Sequence, residues 1–154
     1  MTCYAVIDTN VLVSALLSKY GDAATVQLVG RLLIGEIVPV YSREIIKEYR
    51  EVLGRKKFQF DPDMLRYIIL TIEKYGILVE PSATGMILPD MKDLPFYEVV
   101  MEKREDNAYL VTGNLKHFPT KPFIVTSRQM LNILDGKEEG DEDGKRSEEV
   151  DRRE

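Results

Sequence analysis

An α/β fold, a three-layer α/β/α sandwich with a mainly parallel central sheet, is what this sequence predicts. Two observations carry that expectation. Short apolar runs at 4–8, 37–41, 77–80, 108–112 and 123–125 alternate with segments of helical period, the pattern of layered α/β proteins. The first run shows no polar–apolar alternation, which suits a strand covered on both faces, as in a parallel sheet.

Tyr4-Ala5-Val6-Ile7-Asp8 is the first strand and ends in a carboxylate. Thr9 and Asn10 are suited to cap a short helix over 11–17, which Tyr20-Gly21-Asp22 breaks. A second helix is expected over 23–34, with Val26, Val29, Leu32 and Leu33 near helical spacing and Gly35 as its stop. Residues 37–41 form the second strand. Pro39 lacks a ladder donor, which predicts an edge strand or a strand end. Ser42 is a good N-cap for a helix over 43–53, whose Ile45, Ile46, Tyr49, Val52 and Leu53 make one apolar stripe.

Gly54 closes that helix. Asp61-Pro62 opens another, running to Tyr75 before Gly76. Residues 77–80 are expected as a strand and 82–90 as a loop. Asp93-Leu94-Pro95 starts a helix to about Arg104. The run 108–112 is a strand, Gly113-Asn114 a tight turn with positive φ, 123–125 a last short strand, and Ser127 the cap of a helix to Leu134. Past Gly136 apolar residues almost vanish. One domain over 1–136 and a charged, disordered tail over 137–154 are therefore expected.

Composition narrows the chemistry. The 154 residues contain one cysteine, Cys3, and one histidine, His117. An intrachain disulfide, a four-thiolate zinc site and a poly-imidazole metal site are excluded. No run of 18 apolar residues is present, and the N-terminus lacks the pattern of a signal peptide, so a cytoplasmic protein without a membrane span is expected. The net charge is −5, but residues 137–154 hold 9 acidic against 5 basic residues. The domain proper is thus nearly neutral, which neither suggests nor forbids a nucleic-acid partner.

In parallel α/β sheets ligands bind outside the carboxyl ends of the strands. Asp8 ends the first strand, and Asn114 follows the fourth, two residues after Thr112. Asp90 and Asp93 flank the start of the helix that feeds that strand. Glu48 lies about 100° from the centre of its helix's apolar stripe, nearer the buried edge than Glu44 or Glu51. Carboxylates gathered together need a cation to stay ionised side by side, and hard oxygen donors favour Mg²⁺ or Mn²⁺. Each residue also has a plainer reading. Asp8 and Asp93 suit helix starts, Glu48 a solvated helix face, Asn114 a turn, Thr112 a strand end, His117 a structural or surface position, and Cys3 a small core residue. No single signal is specific; their joint placement favours a site.

Four segments carry a family resemblance. They are residues 6–15 (VIDTNVLVSA), 42–53 (SREIIKEYREVL), 90–96 (DMKDLPF) and 109–118 (YLVTGNLKHF). In this order they resemble PIN-domain proteins over about residues 3–134, and most closely the toxins of bacterial and archaeal toxin–antitoxin pairs, the VapC-like ribonucleases. The resemblance implies a PIN-like α/β/α sandwich and a Mg²⁺- or Mn²⁺-dependent ribonuclease. Its metal-binding acids map onto Asp8, Glu48 and Asp93, with Asn114 completing the catalytic set and Asn10, Ser14 and Thr112 lining the site. The family often has Asp where Asn114 stands. An amide supplies an oxygen but no charge, which weakens binding of a second metal ion. Asp90 is a candidate substitute carboxylate.

The partners implied are an RNA substrate, a small antitoxin protein that covers the site, and a second copy in a homodimer through exposed apolar surface on the first helices. Cations must offset the acids for RNA to approach. Candidates are Lys19, Arg43, Lys47, Arg50, Arg55, Lys56, Lys57, Lys116 and Lys121, although most suit ordinary solvated charges. Two rival functions differ in class. An aspartyl phosphatase of the haloacid-dehalogenase type wants a second Asp two residues after the first, where Asn10 stands. A catalytically weak or inactive PIN-like module that binds only RNA or protein is the other.

Overall fold

The structure is a computed structural model and describes residues 2–137. Nearly all of the expected tail lies outside the described residues. The chain runs β1 (Cys3–Ile7), α1 (Thr9–Leu17), α2 (Ala24–Leu33), β2 (Ile37–Tyr41), α3 (Arg43–Leu53), α4 (Pro62–Tyr75), β3 (Ile77–Leu78), α5 (Leu94–Glu102), β4 (Tyr109–Val111), β5 (Ile124–Val125) and α6 (Ser127–Leu134). Short 3₁₀ turns occupy Met91–Asp93, Arg104–Asp106 and Leu115–His117.

The five strands form one sheet in the order β3-β2-β1-β4-β5, with every pairing parallel. Helices pack about it as an α/β/α fold, as expected from the sequence. The central strand β1 pairs Ala5 with both Pro39 and Tyr109. Its last three residues, Ala5, Val6 and Ile7, are buried. A strand covered on both faces has no solvent side on which to place polar residues. That explains its unbroken apolar run. α2 packs on α1 and α6, while α5 lies against β1, β2 and β4.

Several element boundaries correct the sequence reading. β2 is interior, flanked by β1 and β3, although Pro39 predicted an edge or a strand end. The proline is tolerated because β3 pairs only with Val40 and Tyr41, beyond it. β3 itself spans two residues rather than four. Thr9 and Asn10 are the first residues of α1 and not its caps; Asp8 holds the N-cap position without a side-chain cap bond. The cap of α6 is Thr126 rather than Ser127. Thr126 accepts from the Gln129 amide while the Gln129 side chain accepts from the Thr126 N–H, a reciprocal capping box. Asn114 has φ −124°, not the positive φ expected of a tight turn. Ser42 caps α3 as expected, accepting from the Ile45 N–H.

Gly76, between α4 and β3, is a close-approach position. A Cβ there would sit 2.4 Å from the Ile72 carbonyl oxygen and 2.6 Å from that of Pro39. Both obstacles are backbone and cannot rotate away. Gly76→Ala is therefore expected to destabilise the protein by about 1–3 kcal/mol, the usual cost of overpacking. Urea unfolding checks this; a variant as stable as the parent would show that the α4–β3 corner yields.

Candidate active site

Sheet growth reverses at β1: β2 and β3 lie to one side of it, β4 and β5 to the other. Such a switch point opens a crevice outside the carboxyl ends of the strands. Asp8 and Thr112 are the first residues beyond β1 and β4, so the chain delivers both to that crevice.

Asp8 is buried, only 4% exposed. Thr112 donates its hydroxyl to Asp8 Oδ2 at 2.8 Å, and the Asn10 amide donates to the same oxygen at 3.2 Å. Asn10 Oδ1 accepts the Gly113 N–H at 3.1 Å, which clasps the loop after β4 to the first turn of α1. The Asp8 N–H bonds the Val111 carbonyl at 2.9 Å. This carboxylate is fixed by Thr112, 104 residues away, as well as by nearby Asn10, and does not simply start a helix.

Glu48 is half-buried on α3 and accepts a short hydrogen bond from the Thr9 hydroxyl. The next residue, Tyr49, is fully buried, and its hydroxyl donates to the Ile7 carbonyl. Burial, Asp8 and Glu48 together push the Tyr49 hydroxyl well above its usual range, so it stays a donor. Its ring also meets Phe96 of α5, with centroids 6.4 Å apart. Tyr49 thereby ties α3 to both the β1 terminus and the helix that follows Asp93.

Asp93 makes no cap bond of its own. Its Oδ2 lies 3.1 Å from His117 Nδ1. Asp90 caps the 3₁₀ turn through the Lys92 N–H, at 3.0 Å, and is exposed. Asn114 gives its backbone N–H to the Thr112 hydroxyl at 3.0 Å. Asn10, Ser14, Thr112 and Asn114 line one cleft of about 430 Å³, while Glu48 lines a separate one with residues of the α5 start.

Electrostatics bind the acids into one system. The Asp8 carboxyl is pushed up to about 6; burial is the main cause, Thr112 opposes it, and Asp93 and Glu48 add like-charge repulsion. Glu48 is raised by burial, with Thr9 opposing and Asp93 adding to the rise. Asp93 is raised by burial against the pull of His117, with Asp90 adding repulsion. Among the side chains that perturb these acids, the attractive charges are His117 beside Asp93 and, weakly, Arg55 beside Glu48. Of the proposed RNA-facing cations, Arg50 pairs with Glu73 and Arg55 with Glu51. Lys57 lies over the Phe58 ring.

Among the described residues no three acid, imidazole or thiol groups stand close enough to hold one ion together. The donor set nevertheless fits Mg²⁺ or Mn²⁺ in kind. It is hard oxygen throughout, and Mg²⁺ usually keeps several waters while taking one or two protein carboxylates. Asp8 with either Glu48 or Asp93 meets that need without a three-ligand cage. Sequence reasoning missed two supporting residues. Thr9 read as a cap and His117 as a structural or surface residue; each instead holds a carboxylate. Their partners lie 39 and 24 residues away, and no local pattern gives those distances.

A parallel α/β sheet whose switch point gathers acids defines a class of fold in which hard-metal chemistry is at home. The chain matches the PIN domain family over residues 4–116, well over half its length, and belongs to that family. PIN domains are generally metal-dependent nucleases, and PIN nuclease domains bind RNA. Comparison with curated proteins and with solved structures gives no significant match. Among the described residues no helix is long and apolar enough to cross a membrane.

The raised Asp8 carboxyl sets a pH dependence. A group with a higher proton affinity in the fold stabilises it fully below its unfolded value, near 3.8, and that contribution is lost as pH rises through about 6. Each tenfold change in proton affinity is worth about 1.4 kcal/mol, so ionised Asp8 weakens the metal-free fold by roughly 3 kcal/mol at neutral pH. Asp8→Asn is expected to be more stable than the parent at pH 7.5 in EDTA by up to that amount. The two should converge near pH 4. Equal stability at both pH values in urea titrations would contradict this.

Proposed function

We propose that this chain is a divalent-metal-dependent ribonuclease that hydrolyses RNA phosphodiester bonds, and that Asp8 holds the metal together with Glu48 or Asp93, whichever of the two does not ligate it directly acting through bound water. The observation that carries the reading is the buried Asp8 carboxyl at the switch point, oriented by two donors and burdened by two further acids. Structural stability alone gives no reason to keep it.

Asp8 acts as the fixed ligand, its geometry set by Thr112 and Asn10. Glu48 and Asp93 stand ready on α3 and before α5, held by Thr9 and His117. A bound divalent ion supplies an activated water and charge stabilisation at the phosphate. Asn114 lines the cleft but brings no charge, which favours one ion over two. Exposed Arg43, Lys47 and Lys116 offset the acids for an approaching polyanion.

The toxin role, with a small antitoxin partner, rests on the resemblance to VapC-like ribonucleases; so does a homodimer. A non-catalytic module is the second reading, supported by Asn114 in place of the usual acid.

Cleavage of mixed single-stranded and structured RNAs with Mn²⁺, Mg²⁺ or EDTA tests the proposal. Parent protein should cleave only with metal, and Asp8→Asn should lose at least about 100-fold while remaining folded. Mn²⁺ should raise the unfolding temperature of the parent but not of Asp8→Asn. Metal-independent cleavage, or cleavage unchanged in the variant, would sink the assignment. No cleavage together with no thermal response to Mn²⁺ would favour the binding module.

A further inference from the structure

The cleft of about 430 Å³ beside Asp8 has a lining unlike that of the acid cluster. Its walls come from α1, Thr25 of α2, the loop after β4 and the start of α6, and none of its lining residues is charged. Val11 and the partly exposed Leu115 give it apolar surface. Ser14, Asn114 and Ser127 give it polar groups. Among the described residues these three side chains have no hydrogen-bond partner, unlike Asn10 and Thr112, which are engaged with Asp8.

Such a cleft discriminates between the parts of a nucleotide. A phosphate finds no cation in it and faces the negative charge of Asp8 next door, so it gains nothing there. A nucleobase is neutral, with an apolar face and a polar edge. Leu115 suits the face, with Val11 almost fully buried in the wall. Hydroxyls and an amide, each able to donate or accept, suit the edge. Sequence-specific proteins read single-stranded RNA in this way, by hydrogen bonds to the edges of unstacked bases. No aromatic side chain lines the cleft, so stacking on a ring contributes nothing and discrimination falls to those hydrogen bonds.

We propose that this cleft seats one unstacked base of a single-stranded RNA beside the scissile phosphate and makes cleavage base-selective through Ser14, Asn114 and Ser127. The proposal rests on the ribonuclease reading for its substrate. Ser127 and Leu115 are the new positions, since neither belongs to the acid cluster or its supports.

Two measurements on the full chain separate this inference from the reading beneath it. The first is an amide-resolved NMR titration of metal-free protein with uridine, cytidine, adenosine and inosine. Saturable shifts at Gly113, Leu115 and Ser127 are expected. The strongest and weakest nucleosides should differ by about fivefold or more in affinity, the ordinary worth of one neutral hydrogen bond. The second is cleavage of a randomised single-stranded RNA with Mn²⁺, read by sequencing. A base preference at one position flanking the cut is expected, relaxed by about fivefold in Ser127→Ala and in Leu115→Ser. It should be unchanged in Tyr67→Ser on the exposed face of α4. Cleavage without base preference, or a preference neither variant moves, overturns the subsite and leaves the nuclease standing. Nucleoside binding without cleavage of any RNA supports the subsite and overturns the nuclease. Flat titrations and no cleavage overturn both.

Discussion

A carboxylate buried where two central strands end is the constraint around which this protein is organised. Asp8 leaves β1 with almost no access to water, and desolvation of an ion is costly unless hydrogen bonds replace the lost water. Thr112 from the β4 end and Asn10 from α1 supply them. The Thr112 bond, with that of the Gly113 N–H to Asn10, joins the loop after β4 to the start of α1. The polar knot thus helps define the mouth of the sheet and does not merely sit in it.

Around this anchor the fold sets up a conflict. Glu48 and Asp93 are held close enough to raise the proton affinity of Asp8, yet each is restrained by its own partner, Thr9 for Glu48 and His117 for Asp93. A fold selected only for stability would separate such charges or neutralise them with Arg or Lys. Acids gathered so that they raise one another's proton affinity weaken the fold that holds them. Tyr49 keeps the arrangement compact: one buried ring packs against Phe96 while its hydroxyl holds the Ile7 carbonyl. The helix bearing Glu48 and the helix after Asp93 are both referred to the end of β1.

Much of the architecture was legible because local chemistry and global fold agree. The unbroken apolar run at β1, the stripe on α3 behind its Ser42 cap, and Asp61-Pro62 at the start of α4 each name their element without help from the rest of the chain. The misreadings arise where a distant contact overrides a local rule. Pro39 argues against a central strand until β3 proves so short that it pairs only beyond the proline. Gly113-Asn114 looks like a left-handed turn, but the Asn114 N–H bonds to Thr112 and the backbone follows another path. Ser127 was a fair cap candidate, but Thr126 has Gln129 at the spacing a reciprocal box requires. At the candidate site, positions just past strand ends pointed to Asp8, Thr112 and Asn114. Thr9 and His117 were not legible as partners of Glu48 and Asp93, because nothing local to them records what lies across the crevice.

The sequence by itself determined the α/β class, the order of the elements, and a chemistry of hard oxygen donors, since a chain with one cysteine and one histidine offers little else. These are matters of residue type and local period. Tertiary structure alone decided which carboxylate is buried, which hydroxyl or imidazole holds each acid, and that a neutral cleft opens beside them. Burial and proton affinity depend on how close distant segments come. In a parallel sheet that proximity is set by strand order, β3-β2-β1-β4-β5, a property of the assembled sheet that none of its strands carries alone.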